Sequence, residues 1–318
     1  MEKINKLKDY IDKYNLDGYL VPRNDEFFGE YTPDNKNKLK FISNFSGSFG
    51  FALILKKKNY LFVDGRYPLQ AKIQSGSHFN IITLPDKLPF NILKKKKLSI
   101  GYDPKLHTKK MLNNFFVKTR CKLIAVDRNL IDNLWNKKLK IKSPKYYVMP
   151  KKVVGLSHQS KINKLLKILR RKKVDLHFVS SSENVAWLLN IRGQDSEYTP
   201  IPNAYLLVGK NKNIYLFCDL NKTDNKFKQS LKGVNIIDIK LINNFLKSVS
   251  NKKILIDAST CSVHFENKLK FNNKIIEYLD PIYLLKSIKS KIEIKNTIKS
   301  HIYDGVALTK FLFWIKKN

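Results

Sequence analysis

Short apolar runs recur along the chain and predict buried strands. Each run is four to six residues long, is rich in aliphatic and aromatic side chains, and is bounded by polar turns. A lysine-rich turn at 56–59 joins two of them, which is typical of a hairpin. In the first half of the chain the predicted strands lie at 17–22, 51–55, 60–63, 99–102 and 123–126.

Amphipathic helices alternate with these strands. Ile162, Leu165, Leu166 and Leu169 lie at i, i+3, i+4 and i+7, so they form one apolar stripe along a helix. Residues 1–14 have the same kind of pattern. Because strands alternate with helices but also form adjacent hairpin pairs, we expect a mixed α/β sheet in each half of the chain.

The strand pattern occurs twice. Tyr60–Asp64 is matched by Tyr215–Asp219, and two further aspartates follow each of them at nearly equal distances. Such repetition indicates two copies of one domain, so we expect the aspartates to mark strand ends of a scaffold and not catalytic acids. They are Asp103 (39 residues after Asp64) and Asp127 (24 further on), and Asp257 (38 residues after Asp219) and Asp280 (23 further on).

The chain divides into four predicted segments. A stretch between the two copies contains Pro144, Pro150, Gly155 and many lysines, which is typical of a linker. The segments are domain I at 1–136, a linker at 137–160, domain II at 161–286 and a long C-terminal helix at 287–318.

The C-terminal helix has no counterpart in the first copy. Apolar residues recur along it at helical spacings. Its apolar side needs a covering surface, and no third domain follows in this sequence. The apolar residues are Ile294, Ile298, Ile302, Val306 and Phe313.

The net charge of +35 raises the question of nucleic-acid binding. Only 7 of the 61 basic residues are arginines, whereas proteins that read bases rely on arginine forks. Abundant Lys, Asn and Ile are typical of A- and T-rich codon usage. We therefore expect no specific nucleic-acid partner, and keep loose, salt-sensitive attraction to polyanions as an alternative.

The composition predicts a cytoplasmic protein without membrane contact. No apolar run approaches the roughly 20 residues of a membrane span, and the first residues lack the apolar core of a signal peptide. The cysteines, Cys121, Cys218 and Cys261, are odd in number and widely spaced, so we expect reduced thiols.

Motifs for phosphate or metal binding are weak. The glycine-rich segment at 44–50 fits neither a P-loop nor a dinucleotide fingerprint, and we predict a tight turn there. The six histidines lack metal-ligand spacing. We therefore expect neither a catalytic residue nor a bound metal or cofactor in this chain. The histidines are at 78, 107, 158, 177, 264 and 301.

Two polar clusters supply the candidate site residues. Arg66 follows a predicted strand and can hold a carboxylate through two parallel hydrogen bonds, either as a structural ion pair or at a substrate or subunit edge. Arg192 and Asp195 lie in the densest polar cluster of the second copy, in a loop longer than its counterpart, for which a solvated loop is the alternative. We take all three as candidate substrate or interface residues.

Three separated segments resemble the aminopeptidase P family, the Xaa-Pro aminopeptidases. FISNFSGSFGFALI…NYLFVDGRYPLQA at 41–71 is similar to the first domain of that family. ENVAWLLNIRGQDSEYTPIPNAYLLV at 183–208 is similar to the second domain of its three-domain branch. The segment 289–315 is similar to the first helix of its catalytic domain, so the resemblance covers essentially the whole chain.

The resemblance implies two tandem creatinase-type N-terminal α/β domains, followed in the family by a catalytic pita-bread domain. There, two Asp, one His and two Glu hold two divalent metals, usually manganese, and a bridging hydroxide attacks the peptide bond before proline. No position of this sequence matches those ligands. Arg66 and Arg192 match framework motifs of the N-terminal domains.

The leading hypothesis is therefore an N-terminal portion of a cytosolic Xaa-Pro aminopeptidase that is inactive alone and dimerises through its N-terminal domains. It would act on peptides with proline second only together with a catalytic domain. The alternative from another class is a non-catalytic dimerisation or binding module that acts with a full-length partner.

Overall fold

The structure is a computed structural model that describes residues 2–135 and 144–318. Met1, in the first predicted helix, and residues 136–143, at the junction of predicted domain I and the predicted linker, lie outside the described residues.

Six strands form the sheet of the first domain: β1 (Gly18–Pro22), β2 (Gly50–Leu55), β3 (Asn59–Asp64), β4 (Asn80–Leu84), β5 (Ser99–Tyr102) and β6 (Lys122–Ala125). Their order across the sheet is β4-β3-β2-β1-β5-β6. β2 is antiparallel to both of its neighbours, and the other pairs are parallel. The carboxyl ends of the five strands other than β2 therefore lie along one edge.

Five helices flank this sheet: α1 (Glu2–Lys13), α2 (Lys38–Ser43), α3 (Pro68–Ser75), α4 (Pro89–Leu93) and α5 (Lys109–Phe116). The apolar side of α1 buries Ile4, Leu7 and Ile11 in the core. α5 begins at Thr108, whose side chain accepts a hydrogen bond from the Met111 N–H and so caps the helix.

The second domain repeats this topology. Its strands are β7 (Tyr147–Val148), β8 (Leu176–Val179), β9 (Ile191–Arg192), β10 (Tyr205–Gly209), β11 (Ile214–Cys218), β12 (Asn235–Asp238), β13 (Lys253–Ile256) and β14 (Lys274–Glu277). The main sheet has the order β12-β11-β10-β8-β13-β14, and β10 alone among these is antiparallel to its neighbours. The predicted duplicated α/β fold with mixed sheets is confirmed.

Residues 144–318 form eight helices: α6 (Lys151–Val154), α7 (His158–Arg171), α8 (Ser182–Leu189), α9 (Asn225–Ser230), α10 (Ile242–Ser248), α11 (Val263–Lys270), α12 (Pro281–Ser287) and α13 (Lys291–Lys317). The predicted stripe on α7 is buried in the second core, as the spacing indicates. Within the predicted linker, β7 pairs with β9 and α6 packs against α13.

The repeated aspartates cap strand ends. Asp103 accepts the Lys105 N–H at 2.8 Å, and Asp257 accepts the Ser259 N–H at the same distance. Asp280 caps α12, and its backbone N–H donates to Asp257 Oδ2 at 3.0 Å. In the first domain, however, the residue with this role is Asn129, which donates to Asp103 Oδ2 at 2.8 Å, and not Asp127, the residue that matches Asp280 in spacing.

Each domain inserts side chains into the other. Phe27 of the first domain stacks on Tyr205 at 5.0 Å between ring centroids and belongs to a core of the second. Val263 of the second domain packs into a core of the first, and its N–H donates to the His107 carbonyl at 2.9 Å. These reciprocal contacts join the two domains through buried apolar surface.

Candidate functional site

A large cavity lies between the two domains, where the carboxyl edges of both sheets face it. Ligands of open α/β sheets bind beyond such edges. Asp103 and Asn129 follow β5 and β6, and Asp219 follows β11. We call this cavity of about 750 Å³, bounded by these residues together with Asp195 and Phe27, the interdomain cleft.

The interdomain cleft is balanced in charge, although the chain is strongly basic. Six acidic and six basic side chains line it, whereas the whole chain has 61 basic and 26 acidic residues. A polyanion would therefore gain little there compared with the lysine-rich exterior. The lining suits a ligand that carries both charges.

Asp195 is the most connected acidic side chain in the cleft. It is 1% exposed, and it accepts hydrogen bonds from Tyr146 Oη and the Asn203 N–H, both at 2.7 Å, and from Lys222 Nζ. Burial favours the neutral acid, but the donors, Lys222 first among them, outweigh it and lower the pKa of Asp195. Burial and the adjacent carboxylate raise the pKa of Tyr146, which stays protonated.

Asp195 also lines a second cavity of about 310 Å³ on the other side of Phe27. Ser181, Ser182 and Thr260, at the carboxyl edge of the second sheet, form part of its wall. Asp195 and Phe27 thus stand between two cavities that share the domain boundary.

A second, partly buried ionic cluster lies in the loop after β1. Lys36 Nζ is 2.7 Å from Glu26 Oε1 and 3.4 Å from Asp25 Oδ2. Burial raises the pKa of Asp25. Burial would also raise the pKa of Glu26, but the charge of Lys36 outweighs it, so the pKa of Glu26 is lowered. Because Asp25 Oδ1 also accepts the Phe27 N–H at 3.0 Å, the cluster holds the loop that carries Phe27.

His264 is the histidine on the wall of the interdomain cleft. Its Nε2 is 2.7 Å from Asn243 Oδ1. Burial, with Lys268 and Lys105 nearby, lowers its pKa to about 4. The ring is therefore neutral at pH 7 and adds no charge to the cleft.

The structure separates the three candidate residues. Asp195 lines the interdomain cleft. Arg66 forms an exposed two-bond ion pair with Asp64, at 2.8 and 3.0 Å. Arg192 donates to the carbonyl oxygens of Ala186 and Ile191, at 3.3 and 2.9 Å. Their proposed role at a substrate or interface stays a prediction.

Sequence reasoning missed Tyr146 and Lys222, the partners of Asp195. Tyr146 lies in the predicted linker, whose composition carries no signal for a site. Lys222 lies three residues after Asp219, which marks the end of a strand in the repeat, so its position was a signal for a residue near the strand end. What brings these residues together is the fold, because 27 residues separate Lys222 from Asp195 and 49 separate Tyr146 from it.

Within residues 2–135 and 144–318, no three His, Cys, Asp or Glu side chains come together as a potential metal site. The expectation that this chain binds no metal stays a prediction. Over the same residues, none of the helices combines the length and the apolar character that crossing a membrane requires.

Comparison with known proteins identifies both domains. Residues 3–133 and 137–293 each match a family model described as a creatinase/prolidase N-terminal domain. The chain is 31% identical to a probable Xaa-Pro aminopeptidase P of Laccaria bicolor and 30% identical to Xaa-Pro aminopeptidase 1 of Dictyostelium discoideum. Both alignments cover 100% of this chain but 52% and 53% of those proteins, so the chain spans about half of their length.

A solved structure shows the same arrangement of both domains. The X-prolyl aminopeptidase of Caenorhabditis elegans, described as a cytosolic enzyme with a di-nuclear active site, superposes with a TM-score of 0.89 at 26% identity. The match covers 99% of this chain and 56% of that one.

Proposed function

Because the chain belongs to the creatinase/prolidase N-terminal domain family and carries that domain twice, we propose that it is the non-catalytic scaffold of an Xaa-Pro aminopeptidase. Its two domains hold α13 in place as the docking element for a catalytic part. Release of the residue before proline then requires that part, and this chain alone does not turn over peptides.

The observation that carries this proposal is the exposed apolar surface of α13. Among the described residues, the contacts that anchor the helix lie near its start: Ser290 and Glu293 form a capping box, and Asn296 Nδ2 donates to the Lys152 and Val153 carbonyls at 3.2 and 3.1 Å. From 298 onward every residue is exposed. At 1.5 Å per residue, this portion extends about 30 Å from the anchor.

The apolar residues of the last turns point in nearly every direction around α13. A helix that is hydrophobic on all sides is normally buried in a protein core or a membrane. Residues 306–315 span only about 15 Å, half the hydrocarbon thickness of a bilayer, so a protein core is the better fit. The large side chains, each between 50% and 60% exposed, are Val306, Leu308, Phe311, Leu312, Phe313, Trp314 and Ile315.

Burying these side chains against a partner would stabilise the complex substantially. Full burial of one such side chain stabilises by about 1.5–3 kcal/mol, so burying the exposed half of seven gives roughly 5–10 kcal/mol. That is comparable to the stability of a whole domain. One partner helix would cover only one stripe, whereas a surrounding domain covers all sides.

The remaining features follow from the same proposal. Two divalent metals, manganese in the family that the sequence resembles, and the peptide with proline second bind to the catalytic part. The proposal also includes a homodimer that forms through the N-terminal domains and a cytoplasmic location. The Caenorhabditis elegans enzyme, which is described as cytosolic, supports the location.

The test combines this chain with the half of the Dictyostelium discoideum relative that lies beyond the matched region. The two polypeptides are co-expressed, and association and Mn²⁺-dependent cleavage of a proline-second peptide are measured. We expect a complex that Ile298→Glu with Phe313→Glu disrupts and that Val117→Glu, an exposed change on the first domain, leaves intact. Turnover by this chain alone, or association indifferent to the α13 changes, would contradict the proposal.

A further inference from the structure

The two copies differ at one turn, and the second copy shows how that turn can be covered. After α8, the chain turns at Asn190 in the left-handed conformation (φ 59°) and continues as β9. β7 pairs antiparallel with β9, Tyr147 opposite Arg192 and Val148 opposite Ile191. An extended segment from elsewhere in the chain therefore covers this turn.

The covering segment is held by its backbone and by its side chains. The Tyr146 N–H donates to the Lys222 carbonyl at 2.7 Å, and the Met149 N–H donates to the Asn190 carbonyl at 2.8 Å. Lys145 Nζ donates to the Asn221 carbonyl at 2.6 Å. The Tyr146 ring also packs closely on Gly193, where a Cβ atom would be 2.8 Å from the ring.

Within residues 2–135 and 144–318, the same turn in the first domain has no such covering strand. α2 also ends at a left-handed asparagine, Asn44 (φ 60°), and Phe45-Ser46-Gly47 then matches Ile191-Arg192-Gly193. Among the residues that the structure describes, no strand pairs with 44–47. Asn44 and Ser46 are exposed.

α3, which packs on this turn, carries exposed apolar side chains. Leu69 and Ile73, four residues apart on α3, are 73% and 74% exposed, and Phe49 is 53% exposed. Hydrogen bonds hold the turn against α3, between Ser48 Oγ and Tyr67 Oη at 2.6 Å and from the Ser46 N–H to Gln74 Oε1 at 2.9 Å. We call Phe49, Leu69 and Ile73, with the open backbone 44–46, the α3 patch.

We propose that the α3 patch binds an extended peptide segment of a partner protein. The segment would add as an antiparallel strand to 44–46, as β7 does to β9, with aromatic or β-branched side chains against Leu69 and Ile73. Strand addition to an open edge draws affinity from backbone hydrogen bonds and specificity from alternate side chains. The occupant of the second domain, with its sequence Tyr-Tyr-Val at 146–148, gives the chemistry of the segment.

The size of the patch favours a peptide over a second copy of this chain. Three partly exposed side chains offer a few hundred Å² of apolar surface, well below the roughly 800 Å² per partner of a stable dimer. Two or three side chains of an extended segment would cover it. Self-association through the patch is therefore an outcome that the test must distinguish.

Gln74 competes with the incoming strand. Its side-chain oxygen accepts from the Ser46 N–H, a donor that the peptide backbone would otherwise satisfy. Replacing Gln74 by alanine removes this competitor and should tighten binding. If the peptide bound only through nonspecific apolar contacts, its affinity would not change on this substitution.

The probe is a fluorescein-labelled peptide with the sequence of residues 145–150, Lys-Tyr-Tyr-Val-Met-Pro, titrated with the full chain and followed by fluorescence anisotropy. A second peptide carries proline in place of its second tyrosine and cannot donate that backbone N–H. We expect saturable binding of the first peptide, at least tenfold weaker for the second. Leu69→Glu with Ile73→Glu should weaken binding at least tenfold, and Gln74→Ala should strengthen it two- to fivefold.

Val117→Glu is the matched control, because Val117 is 70% exposed on the same domain but away from α3. It should leave binding unchanged, and thermal unfolding should confirm that all variants fold. Absence of binding, equal binding to the Leu69→Glu/Ile73→Glu variant, or indifference to the proline peptide would overturn the proposal. Concentration-dependent dimerisation that the double variant abolishes would assign the patch to a second copy and also overturn it.

Discussion

Replacing Asp195 by asparagine is the sharpest test of the interdomain cleft. The change keeps the shape of the side chain but removes its charge. Lys222, whose side chain is 21% exposed, then loses its anionic partner, while Tyr146 and the Asn203 N–H keep an acceptor oxygen. The perturbation therefore isolates the Asp195–Lys222 ion pair.

The magnitude follows from burial. Removing one member of a fully buried ion pair costs about 3–5 kcal/mol, because the other charge is left without a partner. Lys222 retains partial access to water, so we expect a loss of about 2–3 kcal/mol in the free energy of unfolding. If Lys222→Met is added, the charge without a partner disappears, and the double variant should lose less than the two single variants summed.

The assay is urea unfolding followed by tryptophan fluorescence and circular dichroism at several pH values. Because the folded-state pKa of Asp195 is lowered from the usual 3.8, its ionisation stabilises the fold fully above about pH 4. That stabilisation is lost as the pH falls through the lower folded pKa. The difference between wild type and Asp195→Asn should therefore be constant from pH 5 to 7 and shrink below pH 4.

The matched control is the exposed pair Asp34–Lys40, whose side chains are 76% and 41% exposed. Asp34→Asn should change the free energy of unfolding by less than about 0.5 kcal/mol. If Asp195→Asn behaves like this control, or if Lys222→Met destabilises equally in both backgrounds, the pair does not support the wall of the cleft and the reasoning is wrong.

Three further predictions concern other parts of the molecule. Burial lowers the pKa of Lys161 to about 8, so wild type should gain up to about 3 kcal/mol over Lys161→Met between pH 8 and pH 10.5, as paired urea titrations would show. Phe27→Ala removes the stacking on Tyr205 and should lower the stability of the domain contact by about 3 kcal/mol, which calorimetry would register as two separate unfolding transitions. Ile298→Glu with Phe313→Glu should reduce self-association in light scattering without lowering the melting temperature, since both side chains are about 60% exposed.

The repeated scaffold was predictable because its signals are local. Buried strands such as 60–63 are read from consecutive residues, and their repetition at 215–218 makes each reading more secure. In the first half of the chain the strand bounds differ from the predicted ones by at most one residue at each end, which is the usual uncertainty of element ends. The apolar stripe of α7 was equally clear from spacing alone.

The contacts between the domains were not predictable from one sequence. Phe27 lies in a polar loop and reads as an exposed aromatic residue, yet it packs in a core of the second domain. Its partner, Tyr205, is 178 residues away in the chain. The role of Asn129 was missed for a related reason. Sequence spacing points to Asp127 as the counterpart of Asp280, but the turn after β6 brings Asn129 within hydrogen-bond distance of Asp103.

Differences between the two copies locate the functional additions better than their similarities do. Thr108 and Ser262 each lie five residues after a matched aspartate, each cap a helix, and they form an antiparallel bridge with one another. Contact between equivalent residues is how two subunits of a symmetric dimer meet, so the repeated scaffold alone accounts for this part of the interface.

Two loops break that symmetry, one from each copy. The connection from β1 to α2 spans residues 23–37, but its counterpart from β8 to α8 is only 180–181. The turn before β10 is lengthened instead, at 193–204, where the first copy has only 47–49 before β2. The two long loops pack on each other, with Ser196 Oγ donating to the Tyr31 carbonyl at 3.0 Å. They also carry Phe27 and Asp195, which divide the two cavities. Since a symmetric pair of scaffolds would not contain these loops, substitutions within them should alter the interdomain cleft while leaving both sheets intact.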